Sequence, residues 1–144
     1  MNYKPILNKI FKSKNMPNLI LYGYYSIDKY NILKEYINLN NCDEIIDDNI
    51  KYNSNNDIKI FDMKTIKNSQ IEKFFNIIFG IIKCKNYYSN RLRILIVKNF
   101  NHIQRNIQNR FRVIFEKYRI NTLFILITDN YDSIFNPIKS RFLS

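Results

Sequence analysis

The sequence predicts a three-layer α/β domain with a parallel sheet of four to five strands. Short apolar runs of strand length alternate with longer segments in which apolar residues recur at helical spacing. The chain has 144 residues, enough for one compact domain and too few for two, and 46% of them are hydrophobic, so a packed core is expected. Strands that alternate with helices pair in parallel through right-handed crossovers, which brings their carboxyl ends to one edge of the sheet.

Patterns in the first half of the chain predict a short amphipathic helix, a buried strand, a helix, a surface loop and a second strand. The loop is predicted because its sequence is polar, acidic and rich in Asn. In order, these elements lie at Ile6–Phe11, Asn18–Tyr22, Ile32–Ile37, Asn40–Asp57 and Ile58–Phe61.

The second half continues the alternation with a helix, a strand, a long helix, a strand and a short helix. The two strands are almost continuously hydrophobic, as expected when both faces of a strand are covered. In order, these elements lie at Thr65–Cys84, Arg93–Val97, Asn101–Tyr118, Leu123–Thr128 and Ser133–Phe135.

The charge balance favours a polyanionic partner, with nucleic acid as the first candidate. Lys and Arg number 23 against 12 Asp and Glu, a formal net charge of +11. The alternative is that an AT-rich genome supplied the lysines through codon usage, since Ile, Asn and Lys are all abundant.

Composition also excludes several classes of site. Cys42 and Cys84 lack metal-ligand spacing and indicate a reducing compartment, and the single histidine, His102, excludes a multi-histidine metal centre. No apolar run approaches the roughly 20 residues of a membrane span, and no apolar segment follows the N-terminal lysines as in a secretory signal. We therefore expect an intracellular protein without a bound metal or a membrane anchor.

The order of segments resembles the AAA+ domain of clamp-loader subunits. Asn18–Gly23 followed by Lys29 is similar to the strand and phosphate loop of that family, which reads YGPPGTGKT. Residues 93–142 are similar to the second half of the domain. In the family, that half has a strand that ends in acidic residues, a helix containing QNALRR and MEKY, a strand FILICN and a P-x-x-S-R-C motif. The matching residues are Gln108, Asn109, Arg112, Glu116, Lys117, Tyr118, Asn121, Thr122, Phe124, Pro137, Ser140 and Arg141.

The resemblance is to the small subunits of replication factor C and to the delta-prime subunit of bacterial loaders. It implies a single AAA+-like P-loop domain over residues 1–144, without the helical lid and collar domains of complete loaders. Whether the chain is a fragment or a reduced protein stays open at this point.

The phosphate loop is degenerate. Such a loop needs glycines because its backbone N–H groups must wrap around phosphates. Gly23 and Lys29 match the nucleotide-binding pattern, but Ser26 and Asp28 stand where the family has glycine. Tyr30 replaces the hydroxyl residue that binds Mg²⁺, so tight ATP binding is not expected and no cofactor is implied.

The family's second nucleotide motif, the acidic residues at the end of the strand Arg93–Val97, is degenerate as well. In the family its carboxylates hold Mg²⁺ and polarise the attacking water, whereas Lys98 and Asn99 occupy those positions here. Lys98 has three alternatives: to neutralise a phosphate, to pair with Asp28, or to be a solvated surface lysine. The position of the family's sensor asparagine falls on either Asp129 or Asn130.

Two further features of the family match residues here. Ser140-Arg141 corresponds to the arginine finger that a subunit presents to its neighbour's nucleotide, although Phe142 stands where the eukaryotic pattern has Cys. Arg105 and Arg112 are seven residues apart on one face of the long helix and are the candidate DNA contacts. The alternatives are a surface arginine after a turn and a solvated helix face.

The resemblance therefore implies a catalytically inactive clamp-loader-like subunit in DNA replication, which donates Arg141 to a neighbouring ATPase subunit and contacts DNA. Its expected partners are other AAA+ clamp-loader subunits, a sliding clamp and DNA. The expected location is the nucleus or another site of DNA replication, a viral factory if the source is a virus. The alternative is a degenerate AAA+-fold scaffold or protein-interaction module with neither a DNA contact nor a finger; an active ATPase would need unconventional residues in both nucleotide motifs.

Overall fold

The structure is a computed structural model that describes eight segments of the chain, and every structural statement below concerns them. These segments are residues 18–22, 29–34, 42–47, 49–55, 58–83, 93–118, 122–134 and 136–139.

A six-stranded sheet runs through the described residues in the order β1-β6-β5-β4-β3-β2. Strands β1, β6, β5 and β4 are parallel, and β3 and β2 continue the sheet in antiparallel pairing. All seven residues of β6 are buried because it is covered on both faces and has a strand on each side. The strands are β1 (Leu19–Tyr22), β2 (Asp43–Asp47), β3 (Ile50–Ser54), β4 (Ile58–Asp62), β5 (Arg93–Lys98) and β6 (Thr122–Thr128).

The predicted surface loop at Asn40–Asp57 is wrong, since it contains the hairpin β2–β3. The predicted number of strands, four to five in an all-parallel sheet, is wrong for the same reason. Asn49 makes the turn with a φ of 66°, a left-handed conformation that Asn tolerates better than most residues. The ring of Tyr52 stacks on that of Phe61 at 4.6 Å and attaches the hairpin to the core.

Four helices lie in the described segments: α1 (Lys29–Lys34), α2 (Ile71–Lys83), α3 (Arg105–Lys117) and α4 (Asn136–Lys139). The two long helices begin later than predicted because 3-10 turns precede them. Thr65 ends the turn that begins at Met63, and a second turn, Phe100–His102, comes before α3. The helix predicted at Ile6–Phe11 lies outside the described residues. No described helix has both the length and the apolar character needed to cross a membrane.

The sheet has an apolar cluster on each face, which confirms the layered α/β architecture. On one face the rings of α2 and α3 pack on the strands, with Phe74, Phe111 and Phe124 fully buried. On the other face Leu33 of α1 packs against alternate residues of the same strands, such as Ile96. Side chains alternate between the two clusters along each strand because successive residues point to opposite faces.

Candidate functional site

The carboxyl ends of the four parallel strands lie at one edge of the sheet. Tyr22 at the end of β1 is in register with Thr128 of β6, and Asp62 of β4 is in register with Lys98 of β5. Ligands of open α/β sheets bind at this edge. The polar side chains that follow these strands therefore form the candidate site.

A partly buried ion pair joins α1 to the end of β6. The Nζ atom of Lys29 lies 2.6 Å from Oδ1 of Asp129, and the side chains are 6% and 23% exposed. A lysine taken out of water is costly unless a counter-charge compensates for the lost hydration. Asp129 supplies that charge, so Lys29, the residue predicted to match the phosphate-loop lysine, is held by the protein's own carboxylate.

Asp129 and Asn130, the two candidates for the sensor position, make different contacts. The side chain of Asp129 bonds Lys29. Asn130 instead makes its contacts through the backbone. The backbone N–H of Asn130 donates to Thr128 Oγ1 at 3.2 Å, and the backbone carbonyl oxygen of Asn130 accepts from Ser133 Oγ at 2.8 Å. Thr128 is buried, and its hydroxyl also lies 3.2 Å from the side-chain oxygen of Asn101. The structure therefore brings Asp129 to the lysine, while Asn130 shapes the turn.

A second polar pair joins the ends of β4 and β5. Asn99 donates from Nδ2 to Oδ1 of Asp62 at 2.7 Å, and that oxygen also accepts from the backbone N–H of Lys64 at 3.0 Å. Asn99 adopts a left-handed conformation with a φ of 56°. Lys98 ends β5 half-buried beside Asp62 in the register, while Asp28, its partner in one of the three alternatives, lies outside the described residues.

Stacked rings cover the β1 side of the edge. The rings of Tyr22 and Tyr131 lie 4.4 Å apart and nearly parallel, and the Nζ of Lys139 lies 4.3 Å from the centre of the Tyr131 ring. This stack attaches α4 to the same edge as the ion pair. Tyr22 is itself half exposed, so the stack is accessible at the surface.

The described edge does not fit a magnesium-bound nucleotide. Mg²⁺ needs oxygen ligands, but β5 ends at Lys98 and is followed by Asn99, and Oδ1 of Asp62 already accepts from Asn99 and from the backbone N–H of Lys64. Within the described segments, no group of three or more His, Cys, Asp and Glu residues could hold a metal ion. A phosphate at Lys29 would also meet the carboxylate of Asp129.

The predicted DNA contacts, Arg105 and Arg112, both lie on α3. Arg105 is exposed at the start of the helix, whereas Arg112 donates to Asn109 at 2.9 Å and to Glu116 at 3.2 Å. Gln108, which lies between the two arginines in the sequence, is buried. It donates from Nε2 to the carbonyl oxygens of Ile103 and Ser133, both at 3.0 Å. These contacts give Gln108 a structural role that joins α3 to the turn after β6.

Some predicted site residues lie outside the described segments, namely Gly23, Ser26, Asp28, Ser140 and Arg141; the side chain of Tyr30 is likewise not described. Conversely, sequence reasoning missed Asp62 and Asn101. A signal for Asp62 existed, because it directly follows an apolar strand whose carboxyl end must lie at the same edge.

Comparison with solved structures shows a shared fold. No protein-family model matches the sequence, and no curated protein matches it significantly. Among solved structures, the crystal structure of a DNA polymerase III gamma subunit-related protein from Thermotoga maritima is similar to 99% of this chain, with a TM-score of 0.59 and 17% sequence identity. The chain spans 44% of the length of that protein, and a likeness at this identity shows a shared fold.

Proposed function

We propose that this chain acts as a non-catalytic clamp-loader-like subunit in DNA replication. The single observation that carries the non-catalytic part of the proposal is the partly buried Lys29–Asp129 ion pair, in which the chain's own carboxylate engages the lysine that matches the phosphate-loop pattern. The fold, which is shared with a DNA polymerase III gamma subunit-related protein, supports the class of protein. In this proposal the domain keeps the AAA+ architecture and works through its surfaces, with other loader subunits and a sliding clamp as partners.

The chemical task proposed for this subunit is to supply Arg141 to the nucleotide of a neighbouring ATPase subunit. A guanidinium suits this role because it stays charged and can bond two phosphate oxygens at once. Lys139, two residues earlier in the chain, contacts the ring of Tyr131 at the carboxyl edge.

DNA contact is the second part of the proposal. Phosphate contacts require cations at suitable spacing and carry no sequence information, and Arg105 is exposed on α3. The net charge of +11 supports a polyanionic partner.

The alternative, a scaffold without a finger or a DNA contact, is favoured by one observation. The guanidinium of Arg112 is bonded along its own helix by Asn109 and Glu116, and a phosphate would have to compete with these partners. The proposed subunit needs Arg141 for ATP hydrolysis by its neighbour, whereas a scaffold does not. A variant of Arg141 therefore distinguishes the two functions.

The test reconstitutes the chain with its cognate ATPase subunit and measures ATP hydrolysis by the complex. We expect Arg141→Ala to lower the rate by on the order of 10³-fold, and Arg141→Lys to restore little because it lacks the planar fork. The isolated chain should show no Mg²⁺-dependent, micromolar ATP binding by calorimetry. Equal hydrolysis with the wild-type chain and with Arg141→Ala would favour the scaffold.

A further inference from the structure

Helices α2 and α3 leave an open apolar groove between them, on the opposite face of the sheet from α1. Its volume is about 260 Å³. The apolar residues Phe75, Phe79, Val113 and Tyr118 line it, together with the basic residues Arg110 and Lys117. No polar group of the carboxyl edge takes part, so the groove is separate from the site described above.

The wall of the groove at Arg110 is fixed by the fold. The guanidinium lies 4.1 Å from the centre of the Phe75 ring and donates to both carboxylate oxygens of Glu72, at 2.6 and 3.1 Å. This bidentate pair lowers the pKa of the Glu72 carboxyl group through the hydrogen bond from Arg110. The groove is therefore preformed on this side and needs little rearrangement to accept a ligand.

The floor of the groove, beside Arg110 on α3, exposes apolar surface that the described residues leave uncovered. Val113 is 49% exposed, one of three large hydrophobic residues in the described segments with this degree of exposure.

The charges around the groove determine which occupant fits. Helices α2 and α3 carry six basic and two acidic residues, and both acidic residues, Glu72 and Glu116, already pair with arginines. Lys117 is exposed at the rim. An acidic ligand is therefore favoured, whereas the apolar floor disfavours the phosphate backbone of nucleic acid.

The same charges disfavour occupants from this chain. A second copy would place two basic helix pairs against each other. Residues 1–17 carry four lysines and no acidic residue, so that segment is also poorly matched. A groove between two helices suits a third helix, whose apolar side chains recur every three or four residues.

We infer that the α2–α3 groove binds an amphipathic helix with an acidic polar face, contributed by another protein. The apolar face of that helix contacts Phe79 and Val113, and its carboxylates face Lys117. This inference does not depend on the finger or DNA roles proposed above, because it uses neither Arg141 nor Arg105.

Two synthetic helical peptides test the inference with the full chain. Both carry Leu at helical spacing on one face; one has Glu and the other Lys at all polar positions. Binding is followed by fluorescence anisotropy at two salt concentrations. We expect saturable binding of the acidic peptide, at least about tenfold tighter than that of the basic peptide.

Three variants locate the binding site. Val113→Asp adds a carboxylate to the exposed floor and should weaken the acidic peptide about tenfold or more. Asn106→Asp adds the same charge at an exposed position of α3 outside the groove lining and should change affinity less than about twofold. Lys117→Glu should reverse the preference between the two peptides. Circular dichroism of each variant checks that the fold is retained.

Several results would overturn the inference. The groove does not select an acidic helix if neither peptide binds saturably or if both bind with equal affinity. The same conclusion follows if Val113→Asp binds the acidic peptide as tightly as the wild-type chain does. If sedimentation velocity shows that the wild-type chain self-associates and Val113→Asp abolishes this, the occupant is a second copy instead.

Discussion

Replacing Asp129 by Asn tests the contact that joins α1 to β6. The substitution removes the negative charge opposite Lys29 and nearly preserves the volume of the side chain. Breaking a fully buried pair costs about 3–5 kcal/mol, and an exposed pair contributes about 0–1 kcal/mol. Lys29 is 6% exposed and Asp129 is 23% exposed, so we expect the variant to lose about 2 kcal/mol of unfolding free energy.

Urea denaturation at pH 7 measures this loss. The matched control is Asp132→Asn, the same substitution at an exposed position three residues later, which should change stability by less than about 0.5 kcal/mol. A double-mutant cycle with Lys29→Met isolates the pair from the other contacts of Lys29, and we expect a coupling of about 1 kcal/mol or more.

A loss no larger than that of the control would refute the reasoning. It would mean that water or another group solvates Lys29 as well as Asp129 does. Asp129 would then not be the group that offsets the charge of Lys29.

Three further predictions follow from other contacts. Gln108→Leu should destabilise the domain by about 1–2 kcal/mol in urea denaturation, because it leaves the carbonyl oxygens of buried Ile103 and of Ser133 without the donor that each has in Gln108. The pKa of Glu72 is lowered by its hydrogen bond to Arg110, so its contribution to stability is present at neutral pH and is lost as the pH falls through that lowered pKa; the stability difference between wild type and Glu72→Gln should therefore shrink as the pH is lowered in an acid titration of stability. If Arg105 and Arg112 contact DNA phosphates, replacing both by Ala should lower the salt slope of duplex binding by about 2, and an unchanged slope would argue for a solvated helix face.

Strands that consist of short apolar runs were predictable from the sequence. The four parallel strands are short apolar runs in a polar context, and burial on both faces requires such runs wherever the chain passes through the centre of the sheet. The hairpin β2–β3 was not predictable in this way. Strand β2 lies at the edge of the sheet with most of its side chains exposed, so its composition is that of a loop.

Local pattern also misplaced the starts of the long helices. Apolar spacing indicates which face of a helix is buried, but hydrogen bonding at the terminus decides where the helix begins. Asp62 accepts from the backbone N–H of Lys64 and begins a 3-10 turn there, which places Thr65 in that turn and not at the start of α2.

The sequence by itself determined the alternation of strands and helices and the basic charge of the chain. Each of these depends on residue types or on neighbours a few positions apart. Only the tertiary structure decided that Lys29 pairs with Asp129, 100 residues away, and that α2 and α3 leave an apolar groove between them. Such contacts depend on strand order, register and helix packing, because these set the distance between side chains that are remote in the chain.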